Sequence, residues 1–86
     1  MSASELRVRR GGKVEIVVTR HGGSLRRMQL GLRPSRGSNL MAMGGFFEHG
    51  EAETRVIVEA PRDARDGRVI VLAKGQAIEI RVKVRR

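Results

Sequence analysis

Residues 53–86 read ETRVIVEAPRDARDGRVIVLAKGQAIEIRVKVRR, and this stretch decides the fold. Residues 56–59 are mainly β-branched and apolar, 60–67 form a break rich in Pro, Asp and Gly, and 67–73 are apolar again. Beyond a glycine-containing turn the chain alternates to its end. This pattern predicts three strands and two turns. Successive strand side chains face opposite ways, so Ile78, Ile80, Val82 and Val84 belong to a core while Glu79, Arg81, Lys83 and Arg85 belong to a charged face.

The remaining chain repeats the same logic. Leu6 and Val8 alternate with Arg7 and Arg9 in a short first strand that stops at Gly11 and Gly12. Residues 13–21, KVEIVVTRH, form a longer strand with Val14, Ile16 and Val18 on one face, ended by a turn at 21–24. In 26–33 the apolar positions are Met28, Leu30 and Leu32, and Pro34 closes the run because it cannot donate to a ladder. A polar loop at 35–39 leads to LMAMGGFFEH, residues 40–49. Gly44 and Gly45 argue against a helix there, so one or two short strands are expected, with a glycine bulge turning Phe46 or Phe47 inward. The total is about seven short antiparallel strands spaced by about 8–12 residues, with no amphipathic run long enough for a helix. The fold class is therefore all-β, a sandwich, with a small β-barrel as the alternative.

A chain of 86 residues is one domain, 1–86, and buries only about 60–65% of its unfolded surface. Its apolar set is aliphatic apart from two Phe, with no Trp or Tyr. The absence of cysteine rules out disulfides and thiolate metal sites and leaves the redox compartment open. No apolar run approaches the roughly 20 residues of a membrane span. MSASELRVRRGG at the start lacks the apolar segment of a signal peptide. A cytoplasmic location is expected if the chain is complete, and a larger parent if it is not.

The net charge of +9 and pI near 11.7 favour encounter with nucleic acid, anionic lipid or acidic glycan. Arginine far outnumbers lysine, which suits bidentate phosphate contacts. A high-GC genome or a hot habitat produces the same bias. If the first and last strands are neighbours, Arg7 and Arg9 share a face with Arg81, Lys83 and Arg85, with Lys13 nearby. A second basic group, Arg26, Arg27, Arg33 and Arg36, flanks the third strand and its loop. Counterion release from roughly five or six phosphates supplies sequence-independent, salt-sensitive binding in the micromolar range. The opposing explanation is that charged edge strands prevent edge-to-edge aggregation and need no ligand. Lack of Tyr and Trp also weakens single-strand binding, which uses aromatic stacking.

Residues 53–86 resemble the last three strands of bacterial immunoglobulin-like accessory domains, which occur as repeats. In those domains a hydrophobic strand runs into a V-x-A-P-x-D-A-x-x-G connection, then an apolar strand, a short turn and a terminal strand ending in V-x-V. Val58, Ala60, Pro61, Asp63, Ala64 and Gly67 stand at those positions, and Val82 and Val84 at the end. The opening LRVRRGGKVEIVVTRHGG is similar to the first two strands. Three departures are Val69 or Ile70 in place of the usual aromatic, no core Trp, and a middle section, 35–50, that matches no known pattern. The resemblance implies an immunoglobulin-like sandwich acting as a structural or adhesive spacer without catalysis.

Other constellations are weaker. Arg20-His21-Gly22 matches the phosphate-holding tripeptide of histidine phosphatases, but those need a large α/β domain and a second distant histidine. His21 and His49 would need carboxylates such as Glu48 or Glu51 to complete a zinc shell. Gly11-Gly12-Lys13 lacks the spacing of a phosphate loop. The pairs Glu48/Glu51 and Asp63/Asp66 fit turn capping better than acid–base work, and Arg62, Arg65 and Arg68 around the second would repel calcium. No catalytic residue, cofactor or metal is expected. The leading expectation is a non-enzymatic structural or interaction module, alone or as a repeat or subunit of a larger assembly, that meets a protein partner or itself through edge strands at 6–9 and 77–85. The alternative is a small basic β-domain that binds nucleic acid, or another polyanion, through phosphates.

Overall fold

Alternation of apolar and polar residues builds nine strands: β1 Ser4–Arg9, β2 Lys13–Thr19, β3 Met28–Gln29, β4 Gly31–Pro34, β5 Met41–Gly44, β6 Phe46–Phe47, β7 Glu53–Glu59, β8 Gly67–Ala73 and β9 Gln76–Arg85. The structure, a computed structural model, describes residues 4–21 and 25–86, so most of the turn expected at 21–24 lies outside the described residues. These residues contain no helix. A four-stranded sheet, β1-β9-β8-β4, faces a three-stranded sheet, β2-β7-β5, and a ribbon of β3 and β6 completes the architecture. No sheet closes into a barrel, and the fold is an all-β sandwich.

Inward residues are those the alternation selects. Val8, Val56, Val58, Val69 and Val82 are buried together with Phe47, Ile80 and Leu30. Phe47 is the largest side chain in this core and is 0% exposed. On β9, Ile80 and Val82 are buried and Ile78 and Val84 half-buried, while Arg81, Lys83 and Arg85 are exposed. Burial of such aliphatic side chains stabilises by about 1.5–3 kcal/mol each.

Three expectations are corrected. The run at 26–33 is not one strand. Leu30 sits between β3 and β4 and donates its N–H to Gly45 O at 2.9 Å, so the chain passes from the ribbon to the four-stranded sheet there. The pairing is not wholly antiparallel, because β1 runs parallel to β9, from Ser4 opposite Ile80 to Arg9 opposite Arg85. Residues 77–85 are not an edge, since β9 is hydrogen-bonded to β1 on one side and β8 on the other. The strands at edges are β1 and β4 in one sheet and β2 and β5 in the other.

The glycine bulge forms as expected. Gly44 and Gly45 have φ of 88° and 78°, backbone conformations that side chains rarely adopt. A Cβ at Gly44 would stand 2.5 Å from Arg55 O. The bulge ends the β5–β7 ladder and redirects the chain to pair with β3, which puts Phe47 inside and leaves Phe46 40% exposed.

Residues 60–66 cross from the three-stranded to the four-stranded sheet. Ala60 and Ala64 are fully buried in this crossover. Ala60 donates to Gly12 O at 3.0 Å and accepts from Gly11 N–H at 2.6 Å, latching the β1–β2 turn to it. The Asp66 carboxylate accepts the Val84 N–H at 2.7 Å, and the Asp63 carboxylate accepts from the Asn39 amide at 3.3 Å. Both aspartates thus serve the connection.

Candidate functional site

Parallel pairing of β1 with β9 brings the first basic group together. Arg7 stands opposite Lys83 and Arg9 opposite Arg85, all exposed on the outer face. Arg68 on β8 joins them opposite Arg81, and Arg33 on β4 extends the face toward the far edge. Glu5 and Glu79 are the carboxylates set into it. Glu5 lies 3.9 Å from both Arg7 and Lys83, and Glu79 lies 3.1 Å from Arg68. These pairs are solvent-exposed and each is worth about 0–1 kcal/mol. Like charges directly opposite one another oppose folding by a similar amount. The face is therefore strongly basic, and part of its charge is carried at a cost to stability.

The other expected cations lie elsewhere. Lys13 is the first residue of β2 in the opposite sheet, facing Glu59, so it does not belong to the stripe. Arg36 is exposed in the turn after β4. Arg26 and Arg27 are exposed ahead of β3 and, with Lys74, border a shallow cleft floored by Met28 and Leu72. The second basic group is thus divided among a sheet face, a turn and the end of the sandwich. Arg68 was reachable from the sequence, because it alternates with the inward Val69 and Val71.

The three-stranded sheet presents a different surface. Outward residues there are Lys13, Glu15, Val17 and Thr19 on β2, Glu53, Arg55, Ile57 and Glu59 on β7, and Met41 and Met43 on β5. Arg55 pairs with Glu15 at 3.1 Å, leaving a slight acidic excess around an apolar centre. Val17 is 55% exposed, Met41 49% and Met43 41%.

Arg20 has a structural use that its tripeptide does not reveal. Its guanidinium donates to the carbonyls of Glu51 at 2.8 Å, Arg26 at 2.7 Å and Glu48 at 3.4 Å. It also lies 4.4 Å from the centre of the Phe47 ring, a cation–π distance. With those donors committed, Arg20 is not arranged to receive a phosphate. Glu48 and Glu51 close a turn on themselves, the Glu48 N–H donating to the Glu51 carboxylate at 3.0 Å and the Glu51 N–H to Glu48 O at 3.1 Å. A cleft of about 360 Å³ beside Arg20 is floored by Met28, Leu30, Phe47, Val71 and Ile78, with His21, Lys74 and Gln76 along its lining. Among the described residues, no three His, Asp or Glu side chains gather closely enough to hold a metal ion.

No family model and no curated protein matches the sequence. The fold is similar to that of domains 4 and 5 of the S-layer protein SbsC, with a TM-score of 0.75 and 15% identity over 98% of this chain and 49% of that one. It is also similar to the structures of SbsC domains 1–6 and domains 4–9. TM-scores there are 0.73 for both, at 15% and 14% identity, over 96% and 95% of this chain and 12% and 13% of those. The chain thus spans about half the length of the two-domain structure and about an eighth of the longer ones. At this level of identity the likeness is one of fold: the described residues adopt a sandwich similar to domains of the S-layer protein SbsC.

Proposed function

We propose that this chain is a non-enzymatic, immunoglobulin-like structural module that serves as one unit of a larger assembly. The observation that carries this reading is the parallel pairing of β1 with β9. Two terminal strands running the same way take the chain in at one end of the sandwich and out at the other. The molecule measures 41 × 20 × 19 Å, and β9, ten residues long, covers about 33 Å of the long dimension at a strand rise near 3.3 Å. Such a unit extends an array with each copy instead of folding it back. The likeness in fold to serial domains of an S-layer protein supports the same use.

The test is a protein with three copies joined end to end, measured by small-angle X-ray scattering. The maximum dimension should lengthen by close to 41 Å for each added copy. A compact cluster, with no such growth, would remove the basis for a linear module.

A second reading is favoured by the basic face on β1, β9 and β8. Unfavourable rows such as Arg9 opposite Arg85 suit a surface that meets a polyanion, nucleic acid among them. Double- and single-stranded DNA, with heparin as a control, titrated across a salt series, separates this from the first reading. Micromolar binding near physiological salt, with a steep salt slope and preference for DNA over heparin, supports a nucleic-acid site on Arg7, Arg9, Arg81, Lys83 and Arg85. Binding that vanishes by that salt, or is equal for every polyanion, leaves the face without a nucleic-acid role, with edge protection confined to Arg7 and Arg9 on β1.

A further inference from the structure

The edges of the two sheets are not equally guarded. β1 displays Arg7 and Arg9, β4 ends in Pro34, and β5 ends in the positive-φ pair Gly44–Gly45. Charge, proline and bulges all discourage a further strand from pairing. β2 has none of these over its second half, Ile16, Val17, Val18 and Thr19. Among the described residues it is hydrogen-bonded only to β7. Arg20 N–H donates to Ala52 and Ala60 N–H to Gly12, so even-numbered residues of this segment direct their backbone toward β7. Glu15, Val17 and Thr19 therefore direct theirs to the open side.

Beneath that open side the two sheets part. A groove of about 200 Å³, lined by Leu6, Ile16, Val18, Val71, Ile78 and Ile80, runs between β1 and β2 with Val17 at its rim. At the other end of the same side the gap is closed by the β1–β2 turn, latched to Ala60.

We infer that β2 is a self-pairing edge and that its partner is the β2 strand of a second copy of this chain, joined antiparallel about a twofold axis at Val17. The sequence of the strand selects that register. Centred on Val17, Val17 faces its mate, Glu15 faces Thr19 and inward Ile16 faces Val18. Centred on Glu15, two carboxylates would face each other. The chosen register gives reciprocal Val17 hydrogen bonds and covers the exposed Val17 side chains. It also brings the apolar grooves of the two copies together over one axis, an isologous contact. β1 cannot serve in the same way, because pairing it with itself brings two sets of Arg7 and Arg9 to one seam. The inference rests on the assembly reading only in expecting a partner, and its failure would leave end-to-end linkage intact.

The chain contains no cysteine, so Val17→Cys introduces a single thiol. Opposed residues in a hydrogen-bonded antiparallel pair have Cα atoms about 5.5 Å apart, within disulfide range. Sedimentation of the unmodified protein should show a concentration-dependent dimer. Val17→Lys, at an outward position where lysine meets no core, should sediment as a monomer at the same concentrations and melt where the unmodified protein melts when dilute enough to be monomeric. Under mild oxidation Val17→Cys should become covalent dimer at least tenfold faster than Met43→Cys, a second exposed thiol on the same face. A protein that is monomeric to millimolar concentration, a dimer that survives Val17→Lys, or equal cross-linking rates for the two cysteines would each overturn the proposal. Linked copies that carry Val17→Lys cannot pair through β2, so their scattering length tests end-to-end linkage alone and the two readings fail separately.

Discussion

Gly67 sits where the crossover enters β8, and a Cβ there would overlap the Ser35 hydroxyl and the Ser38 Cβ. Both serines are engaged. Ser35 accepts the Arg68 N–H at 3.1 Å, and Ser38, only 3% exposed, donates to Ser35 O at 2.7 Å. Gly67→Ala is therefore expected to destabilise by about 1–3 kcal/mol, the usual penalty for overpacking a close contact. Urea unfolding, read as a lower midpoint at unchanged slope, measures it. Arg20→Lys should cost about 1–2 kcal/mol in the same assay, since an ammonium can neither span three carbonyls nor stack on Phe47 as a guanidinium does. The two residues differ in legibility. Gly67 belongs to a turn pattern written in consecutive letters, whereas the role of Arg20 depends on residues 48–51 folding back across the end of β2, which no local spacing announces.

At the level of strands, alternation carried most of the fold. β2, β7, β8 and β9 are visible because their inward positions are mainly aliphatic, and the glycine bulge is visible because two consecutive glycines interrupt a run with no polar residue. The division of β3 from β4 is hidden. Met28, Leu30 and Leu32 keep one unbroken period of two, and a strand that changes sheets without changing its inward face leaves no mark in the pattern. The parallel β1–β9 pair is also hidden, because it joins the two ends of the chain. That pair set the basic stripe, so Arg7 and Arg9 joined Arg81, Lys83 and Arg85 only through a long-range contact, and Lys13 fell on the other sheet. Its electrostatics give a prediction. Arg9→Glu, placing a carboxylate opposite Arg85, should stabilise by about 0.2–1 kcal/mol. Raising salt from about 0.01 M to 0.5 M should increase the melting temperature of the unmodified protein, and by less in Arg9→Glu, as repulsion on the face is screened. An unchanged melting temperature in both would mean that the stripe is too open to solvent for its charges to interact.

As a whole, the molecule is an elongated sandwich whose two faces differ, one basic and one apolar-centred with a slight acidic excess, and whose terminal strands lie side by side pointing the same way. This geometry determines how it responds to tension along its length. Pulling the two ends apart slides β1 along β9, so the hydrogen bonds from Ser4–Ile80 to Arg9–Arg85 resist together and not in sequence. Pulling β8 and β9 apart from their shared open end, by contrast, breaks one bond pair after another. Because forced unfolding reports the unfolding barrier, single-molecule pulling in these two geometries tests the central claim most directly. One is through the chain ends, and the other through cysteines placed at Arg68 and Arg81, which face each other at the open end of the hairpin. A unit that transmits tension through a linear array should unfold in one step from its ends, at a force clearly above that of the hairpin geometry. Equal forces, or peeling from the ends at the lower force, would contradict the account.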